Sequence, residues 1–286
     1  MFHQTITLAN GVSVPQLALG TWLIENGRTA DAVRSAVELG YRHVDTAQAY
    51  ENEQGVGEGI RTCGVPRDQL FVTTKVAAEH NYRTAMAGID GSLRVMGLDY
   101  IDLMIIHSPQ PWMEVNQSDD RYYEGNLEAW RALTDAYKAG KLRAIGVSNF
   151  LQGDIENLWN RAEVKPMVNQ VLCHVSNTPL ELIDYCQGRG IVMEAYSPVA
   201  HGEALKNPEI AEMAAKYGVS VPQLCIRYDI QLGMIVLPKT ANPAHMKANA
   251  EVDFVISDED METLKHVEHI RDYGEHGFFP VFGGRL

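Results

Sequence analysis

Eight short apolar runs, spaced along the whole chain with helix-length amphipathic stretches between most neighbours, constrain this sequence more than any single residue does. They are LALG (17–20), HVD (43–45), LFVTTK (70–75), IDLMIIH (101–107), LRAIGVS (142–148), MVNQ (167–170), IVMEAYS (191–197) and MIVLP (234–238). Near-continuous apolar character marks strands covered on both faces, as in a parallel sheet. Between the runs the period changes: Thr29–Leu39 sets Ala30, Val33, Ala36 and Val37 on one helical face, and Glu124–Ala139 does the same with Leu127, Trp130, Leu133 and Ala136. Strand, crossover helix and next strand give parallel pairing, and eight such units close most naturally into a (β/α)₈ TIM barrel. An N-terminal β-hairpin is expected to precede it, with Asn10-Gly11 turning between Thr5–Leu8 and Val12–Pro15. No Pro-, Gly- or Ser-rich linker interrupts the rhythm, so residues 1–286 are expected to form a single domain.

Composition removes several classes of function. A formal charge of −13 argues against nucleic-acid and anionic-membrane partners, which require clustered Lys and Arg. No apolar run approaches the ~18 residues of a membrane span and no signal-like segment opens the chain, so a soluble, cytoplasmic protein is expected. Cys63, Cys173, Cys186 and Cys225 lack paired spacing, as a reducing compartment permits. Gly55-Val56-Gly57-Glu58-Gly59 imitates a dinucleotide fingerprint, but no apolar strand precedes it and its last glycine comes too soon; it reads as the helix after the second strand. Gly146-Val147-Ser148-Asn149-Phe150 imitates a nucleophile elbow, except that Phe150 replaces the second glycine. His266 and His269 stand three apart on a late helix, with His276 following, yet no carboxylate or thiol completes a tetrahedral set, so no metal site is expected. Cys173-His174 reads as structural or as pocket lining.

In a barrel, chemistry gathers where strands end, and there stand Asp45, Tyr50, Lys75 and His107. Singly, each is more often a salt bridge, a satisfied histidine or core packing. Together, at three successive strand ends, they form a proton-donating set. A free tyrosine with a pKa of ~10 is a sluggish acid at neutral pH. An ammonium ~4 Å away at an effective dielectric of ~20 stabilises the phenolate by up to ~4 kcal/mol, or as much as ~3 pKa units before desolvation offsets part of it. Lys75 is therefore expected to lower the pKa of Tyr50. A partly buried Lys75 needs a carboxylate to stay charged, and Asp45 is the candidate. A neutral His107 donating a hydrogen bond would orient a carbonyl and stabilise the alkoxide.

HVDTAQAYENE, FVTTK and DLMIIH, followed in order by GVSNF (146–150), NQ (169–170), AYSP (195–198) and LPKT (237–240) and preceded by GTW (20–22), resemble the aldo-keto reductase superfamily over nearly the whole chain. The nearest likeness is to its smaller bacterial members, of the diketogluconate and methylglyoxal reductase type. The resemblance implies NAD(P)H-dependent reduction of an aldehyde or ketone, with Tyr50 as the acid and Asp45, Lys75 and His107 supporting it. It also implies a cofactor held by Ser148, Asn149 and Gln170 at the nicotinamide carboxamide, by Tyr196 stacked on the ring, and by Ser197, Pro198 and Val199 beside the pyrophosphate. Gly20, Thr21, Trp22 and Asp45 are expected at the same site.

At the adenosine end the family pattern is Lys, Ser or Thr, then a helix carrying Arg and later Glu-Asn. Here Lys239, Thr240 and Asn249 match, while His245 stands in the arginine position and Ala248 in the glutamate position. The bidentate guanidinium is lost, so NADPH is expected to be preferred, with a narrower margin over NADH. Trp22, Tyr50, His107, Ser108 and Trp112 are expected to line the substrate mouth, joined by Tyr122 or Tyr123. Ser108 stands where a Trp is common, making room or accepting a hydrogen bond. Phe278, Phe279 and Phe282 are candidates for a tail that folds over the pocket. A small carbonyl substrate and a monomer are expected. Two other readings stay open: a cofactor-binding regulatory protein, and an aldolase using Lys75 as a Schiff-base nucleophile.

Overall fold

In the computed structural model, which describes residues 1–77 and 81–282, strands β1 (Thr5–Thr7) and β2 (Ser13–Pro15) pair antiparallel as the expected hairpin. Its turn needs Gly11 at φ +86°, where a side chain would be strained. Leu8 and Val14 bury into the core, and the Pro15 carbonyl meets Nδ1 of His43 at 3.2 Å, so the hairpin sits at the N-terminal end of the strands that follow.

Those strands are β3 (Leu19–Gly20), β4 (His43–Asp45), β5 (Phe71–Val76), β6 (Ile101–Ile106), β7 (Leu142–Ser148), β8 (Val168–Leu172), β9 (Val192–Tyr196) and β10 (Ile235–Leu237). They pair in parallel in chain order. Closure comes from parallel bridges of Leu17 to Val236 and of Gly20 to Lys239, with Gly20 N donating to the Pro238 carbonyl at 3.1 Å. A Cβ at Gly20 would lie 3.1 Å from the Leu237 carbonyl oxygen, a tight approach that the absence of a side chain relieves. The eight apolar runs are thus the eight barrel strands. β5 and β6 are buried at every position, as parallel strands covered on both faces must be.

Around the barrel lie α1 (Asn26–Leu39), α2 (Glu53–Thr62), α3 (Tyr82–Met96), α4 (Tyr123–Lys138), α5 (Gln152–Arg161) and α6 (Leu180–Gln187). The β9–β10 crossover carries two helices, α7 (Pro208–Lys216) and α8 (Val221–Gln231), one more than the eightfold rhythm requires. After β10 come α9 (Pro243–Ala250) and α10 (Asp258–Lys265). Local chemistry fixes several ends: Asn81 and Thr84 form a reciprocal capping box at α3, which closes on Gly97 at φ +64°. The glycine run 55–59 lies within α2 and serves close helix packing. A Cβ at Gly55 would come 2.5 Å from the Asn26 carbonyl oxygen, and one at Gly59 would come 2.6 Å from Val33 Cβ.

One expected placement is corrected. α10 ends at Lys265, so His266 is its C-terminal cap and His269 lies beyond it; the two do not share a helical face. Among the described residues no helix is long and apolar enough to cross a membrane.

Candidate active site

The in-register pairing of β3, β4 and β5 sets Gly20 beside Asp45 and Asp45 beside Thr73, so Lys75, two residues further along β5, reaches the C-terminal rim beside Asp45. The Lys75 side chain is fully buried and its ammonium has three partners. It donates to Asp45 Oδ1 at 2.6 Å, to the Thr46 carbonyl at 2.8 Å and to Tyr50 Oη at 3.2 Å. Tyr50 closes a 3-10 turn (Gln48–Tyr50) after β4. That turn is pinned by Gln48, which donates to the Gly88 carbonyl and to Ser92 Oγ, both at 2.9 Å. His107 follows β6 directly, its ring 5.7 Å from that of Tyr50. The four expected residues therefore converge.

Burial pushes the His107 imidazole down to about 3, with the charge of Lys75 adding to the effect, so it is neutral at physiological pH. Burial also works against a charged Lys75, but Asp45 and Tyr50 outweigh it and its pKa is raised. Tyr50 departs from expectation. Burial raises its pKa by more than Lys75 lowers it, and the Asp45 charge opposes Lys75 further, so the net shift is upward. The expected attraction of Lys75 for the phenolate is present, and desolvation of the phenol exceeds it.

The rest of the expected site divides into two groups. Gln170, on β8, donates through Nε2 to Asp45 Oδ2 at 3.0 Å, joining the cofactor candidates to the proton-donating set. Ser148 ends β7 beside it. Tyr196 ends β9 and donates to Asn149 Oδ1 at 2.7 Å. Ser197 turns the chain at φ +54° and its hydroxyl meets His201 Nε2 at 3.0 Å; Pro198 and Val199 follow on that loop. Lys239 is exposed, with Thr240 and Asn249 behind it and His245 exposed on the first turn of α9.

Three of the expected groups are engaged in hydrogen bonds within the chain. The Thr21 hydroxyl is fully buried and donates to the Asp45 carbonyl at 2.9 Å, next to Gly20 of the seam. The Asn149 amide is used at both ends, since Nδ2 also donates to the His107 carbonyl at 3.2 Å; it holds Tyr196 and the His107 backbone together. Ser108 is only 2% exposed and donates to the Gln110 carbonyl at 2.6 Å, which stabilises its own loop. Tyr122 donates to Glu114 Oε2 at 3.2 Å, and Tyr123 Oη lies against Gly153 of α5, on the outside of the barrel.

Over the mouth lies the C-terminal tail. Phe279 contacts Trp22 and Trp112 with ring centroids 5.8 and 6.0 Å apart. Phe282, 2% exposed, is wedged among Trp22, Tyr196 and Tyr273. Phe278 points to solvent. The last four residues of the expected lid, 283–286, lie outside the described residues.

Four residues at the site carried no signal in the sequence. Asn52, fully buried, accepts from Thr46 Oγ1 at 2.7 Å and donates to the Thr21 and Ile24 carbonyls, tying the Tyr50 turn to the β3–α1 loop. Glu194 on β9 receives the other Gln170 N–H at 2.8 Å. Arg28, on the first turn of α1, lies near enough to Lys239 to press its pKa down in addition to burial. His201 packs against His276 of the tail at 4.3 Å.

Taken together, these features define a closed eight-stranded parallel barrel with a buried Lys–Tyr–His set at its C-terminal rim. Residues 16–269 match the aldo/keto reductase family, and the chain belongs to that family. It is 44% identical over 263 residues to the glyoxal reductase of Bacillus subtilis (strain 168), covering 91% of each chain. Over 286 residues it is 39% identical to the 9,11-endoperoxide prostaglandin H2 reductase of Trypanosoma cruzi (strain CL Brener), covering 97% of each. Among solved structures, a Bombyx mori aldo-keto reductase in complex with NADP superposes with a TM-score of 0.83 at 31% identity, over 98% of each chain.

Proposed function

We propose that this chain reduces small aldehydes or ketones to alcohols with NADPH as the electron donor. The observation that carries the proposal is Lys75 Nζ, fully buried and held at once by Asp45 at 2.6 Å and Tyr50 at 3.2 Å. The residues also suit the cofactor. Lys239 and Arg28 have no carboxylate within ion-pair distance among the described residues, although the chain as a whole is acidic, which fits a phosphate-bearing group. Among the described residues no group donates to Gln170 Oε1, which fits a carboxamide NH₂.

When bound, NADPH supplies a hydride from nicotinamide C4 to the carbonyl carbon. Tyr50 gives its phenolic proton to the carbonyl oxygen as the carbon–oxygen double bond opens. Its raised pKa means that the proton is present to be given, and Lys75 stabilises the phenolate left behind. Asp45 keeps Lys75 charged. His107, neutral, donates a hydrogen bond to the same oxygen and fixes its position. Tyr196 supplies a flat face for the nicotinamide, while Ser148 and Gln170 pair with its carboxamide. Lys239, Thr240 and Arg28 receive the 2′-phosphate, with Asn249 at the adenine and His245 in place of a guanidinium. Trp22 and Trp112 frame the substrate, which a small carbonyl suits given the aromatic cover above it. The chain acts as one domain and as a monomer in the cytoplasm.

A Schiff-base aldolase needs a neutral amine with a free lone pair, and the salt bridge keeps Lys75 protonated. The test is NADPH absorbance against a panel of aldehydes and α-dicarbonyls, with Tyr50→Phe in parallel. Turnover in the wild type, lost in the variant with NADPH binding retained, is the expected result; equal turnover in both would overturn the role of Tyr50.

A further inference from the structure

Glu194 is an unusual residue to find in the middle of a barrel. It is fully buried, with one oxygen, Oε2, accepting from Gln170 Nε2 at 2.8 Å and the other, Oε1, without any hydrogen-bond partner. Among the described residues no cation pairs with it. Lys75, whose charge reaches it, is already committed to Asp45, Thr46 and Tyr50. An ionised carboxylate with a single hydrogen bond in such a place is very unfavourable, whereas a neutral acid loses only one partner. Accordingly, burial, reinforced by the Asp45 charge, holds the carboxyl up at about 8 against Gln170 and Lys75.

An amide nitrogen has two hydrogens, and in Gln170 both are used. One goes to Asp45 Oδ2 and one to Glu194 Oε2. Turning the amide over would set its oxygen against the Asp45 carboxylate and turn both of its N–H groups away from these acceptors. Two acceptors on one side therefore leave Oε1 as the only end that Gln170 presents elsewhere. The β8–β9 register makes this possible, because Gln170 and Glu194 are direct neighbours in the parallel pair.

We infer that Glu194 is a positioning residue, which acts through Gln170 and, together with Asp45, locks the Gln170 amide with its oxygen toward the nicotinamide carboxamide. The inference rests on the reading above that Gln170 meets that carboxamide. It assigns Glu194 no contact with cofactor or substrate and no proton transfer. Its consequence is specific to the nicotinamide end of the cofactor.

The test is Glu194→Met, which keeps bulk and removes the acceptor, measured by binding of NADPH and of 2′,5′-ADP, a fragment without nicotinamide. Loss of one oriented hydrogen bond should weaken NADPH about tenfold, with 2′,5′-ADP within about twofold. Glu194→Gln, which retains an acceptor, should recover most of the NADPH affinity. Glu194→Val replaces the methionine variant if that one fails to fold. Equal weakening of both ligands would make Glu194 merely structural and overturn the inference. So would unchanged NADPH binding in Glu194→Met beside weakened, nicotinamide-specific binding in Gln170→Met, in which case the carboxamide reading survives. If Gln170→Met binds NADPH normally, the carboxamide reading itself fails and takes the inference with it.

Discussion

Glu194→Gln should change the pH dependence of stability by an amount that can be worked out beforehand. In the unfolded chain Glu194 titrates near the ordinary 4.5, whereas in the fold it keeps its proton up to about 8. The folded state therefore binds more protons between these values, and its stability falls as pH rises through that window. At roughly 1.4 kcal/mol per unit, folding around a neutral Glu194 costs about 3 kcal/mol at pH 7 and under about 1 kcal/mol at pH 5. The glutamine variant takes up no proton. Its own penalty, an amide NH₂ facing the place where Oε1 lacks a partner, does not depend on pH. Denaturant unfolding of both proteins at pH 5 and pH 7 removes that constant, and the variant should gain about 2 to 3 kcal/mol on the wild type over the interval. For a chain of this length that is about 4 °C in relative Tm. Other titrating groups cancel in the difference. A wild-type-minus-variant gap that stays flat between the two pH values would mean that Glu194 is ionised in the fold, and the account of a neutral acid beside Gln170 would be wrong.

Removing Lys75 leaves Asp45 buried without its cation, so Lys75→Met should cost about 3 to 5 kcal/mol of stability in addition to activity. Lys75→Met/Asp45→Asn should recover much of the stability and none of the turnover, as equilibrium unfolding and NADPH oxidation would report; a double variant no more stable than the single would refute the pairing. His245→Arg restores a bidentate guanidinium at the adenosine end and should widen the NADPH-over-NADH ratio of kcat/KM about tenfold, an unchanged ratio counting against His245 as the cause of narrow discrimination. Phe279→Ala uncovers Trp22 and Trp112, so KM for bulky aldehydes should fall relative to that for methylglyoxal while kcat for the small substrate stays within about twofold; equal effects on both substrates would mean that the tail does not gate the mouth.

The barrel was legible because parallel strands covered on both faces must be apolar throughout, a pattern few other arrangements impose. IDLMIIH and LRAIGVS became β6 and β7 almost residue for residue. The second helix of the β9–β10 crossover leaves no mark on the apolar rhythm, since a helix added within a long connection does not disturb the strand spacing. At the site, Asp45, Tyr50, Lys75 and His107 were legible because residue types rarely found together recur at strand ends. Asn52, Glu194 and Arg28 were not, because each acts only through a partner distant in sequence. Gln170 and Asp45, for instance, are 125 residues apart. Inside IVMEAYS, Glu194 reads as an alternating polar residue, and nothing local indicates that its neighbour across the register is an amide whose second hydrogen has no other acceptor.

The upward shift of Tyr50 shows most clearly where reasoning from pairs of residues stops. Lys75 and Tyr50 are 25 residues apart, and their attraction can be assessed from the two side chains alone. Desolvation is instead a property of everything that excludes water from the phenol, and here that includes Trp22 at 6.5 Å, His107 at 5.7 Å and, over Trp22, the tail aromatics Phe279 and Phe282. The same cover that raises the pKa also lowers the local dielectric, which strengthens the field of Lys75 on the phenolate when it forms. On the proposed mechanism, a wet site would weaken the field of Lys75 on the phenolate, whereas a dry one keeps the tyrosine protonated and makes that field strong where a substrate oxygen takes the proton. Kinetics should reflect this. The reductive rate should stay level through neutral pH and decline only above the ordinary tyrosine value of 10.0, since a raised pKa keeps the acid form intact below it. Removing the tail after Tyr273 should move that decline to lower pH, because water then reaches the phenol while Lys75 stays in place. A decline that does not move on truncation would show that the tail contributes nothing to the desolvation of Tyr50.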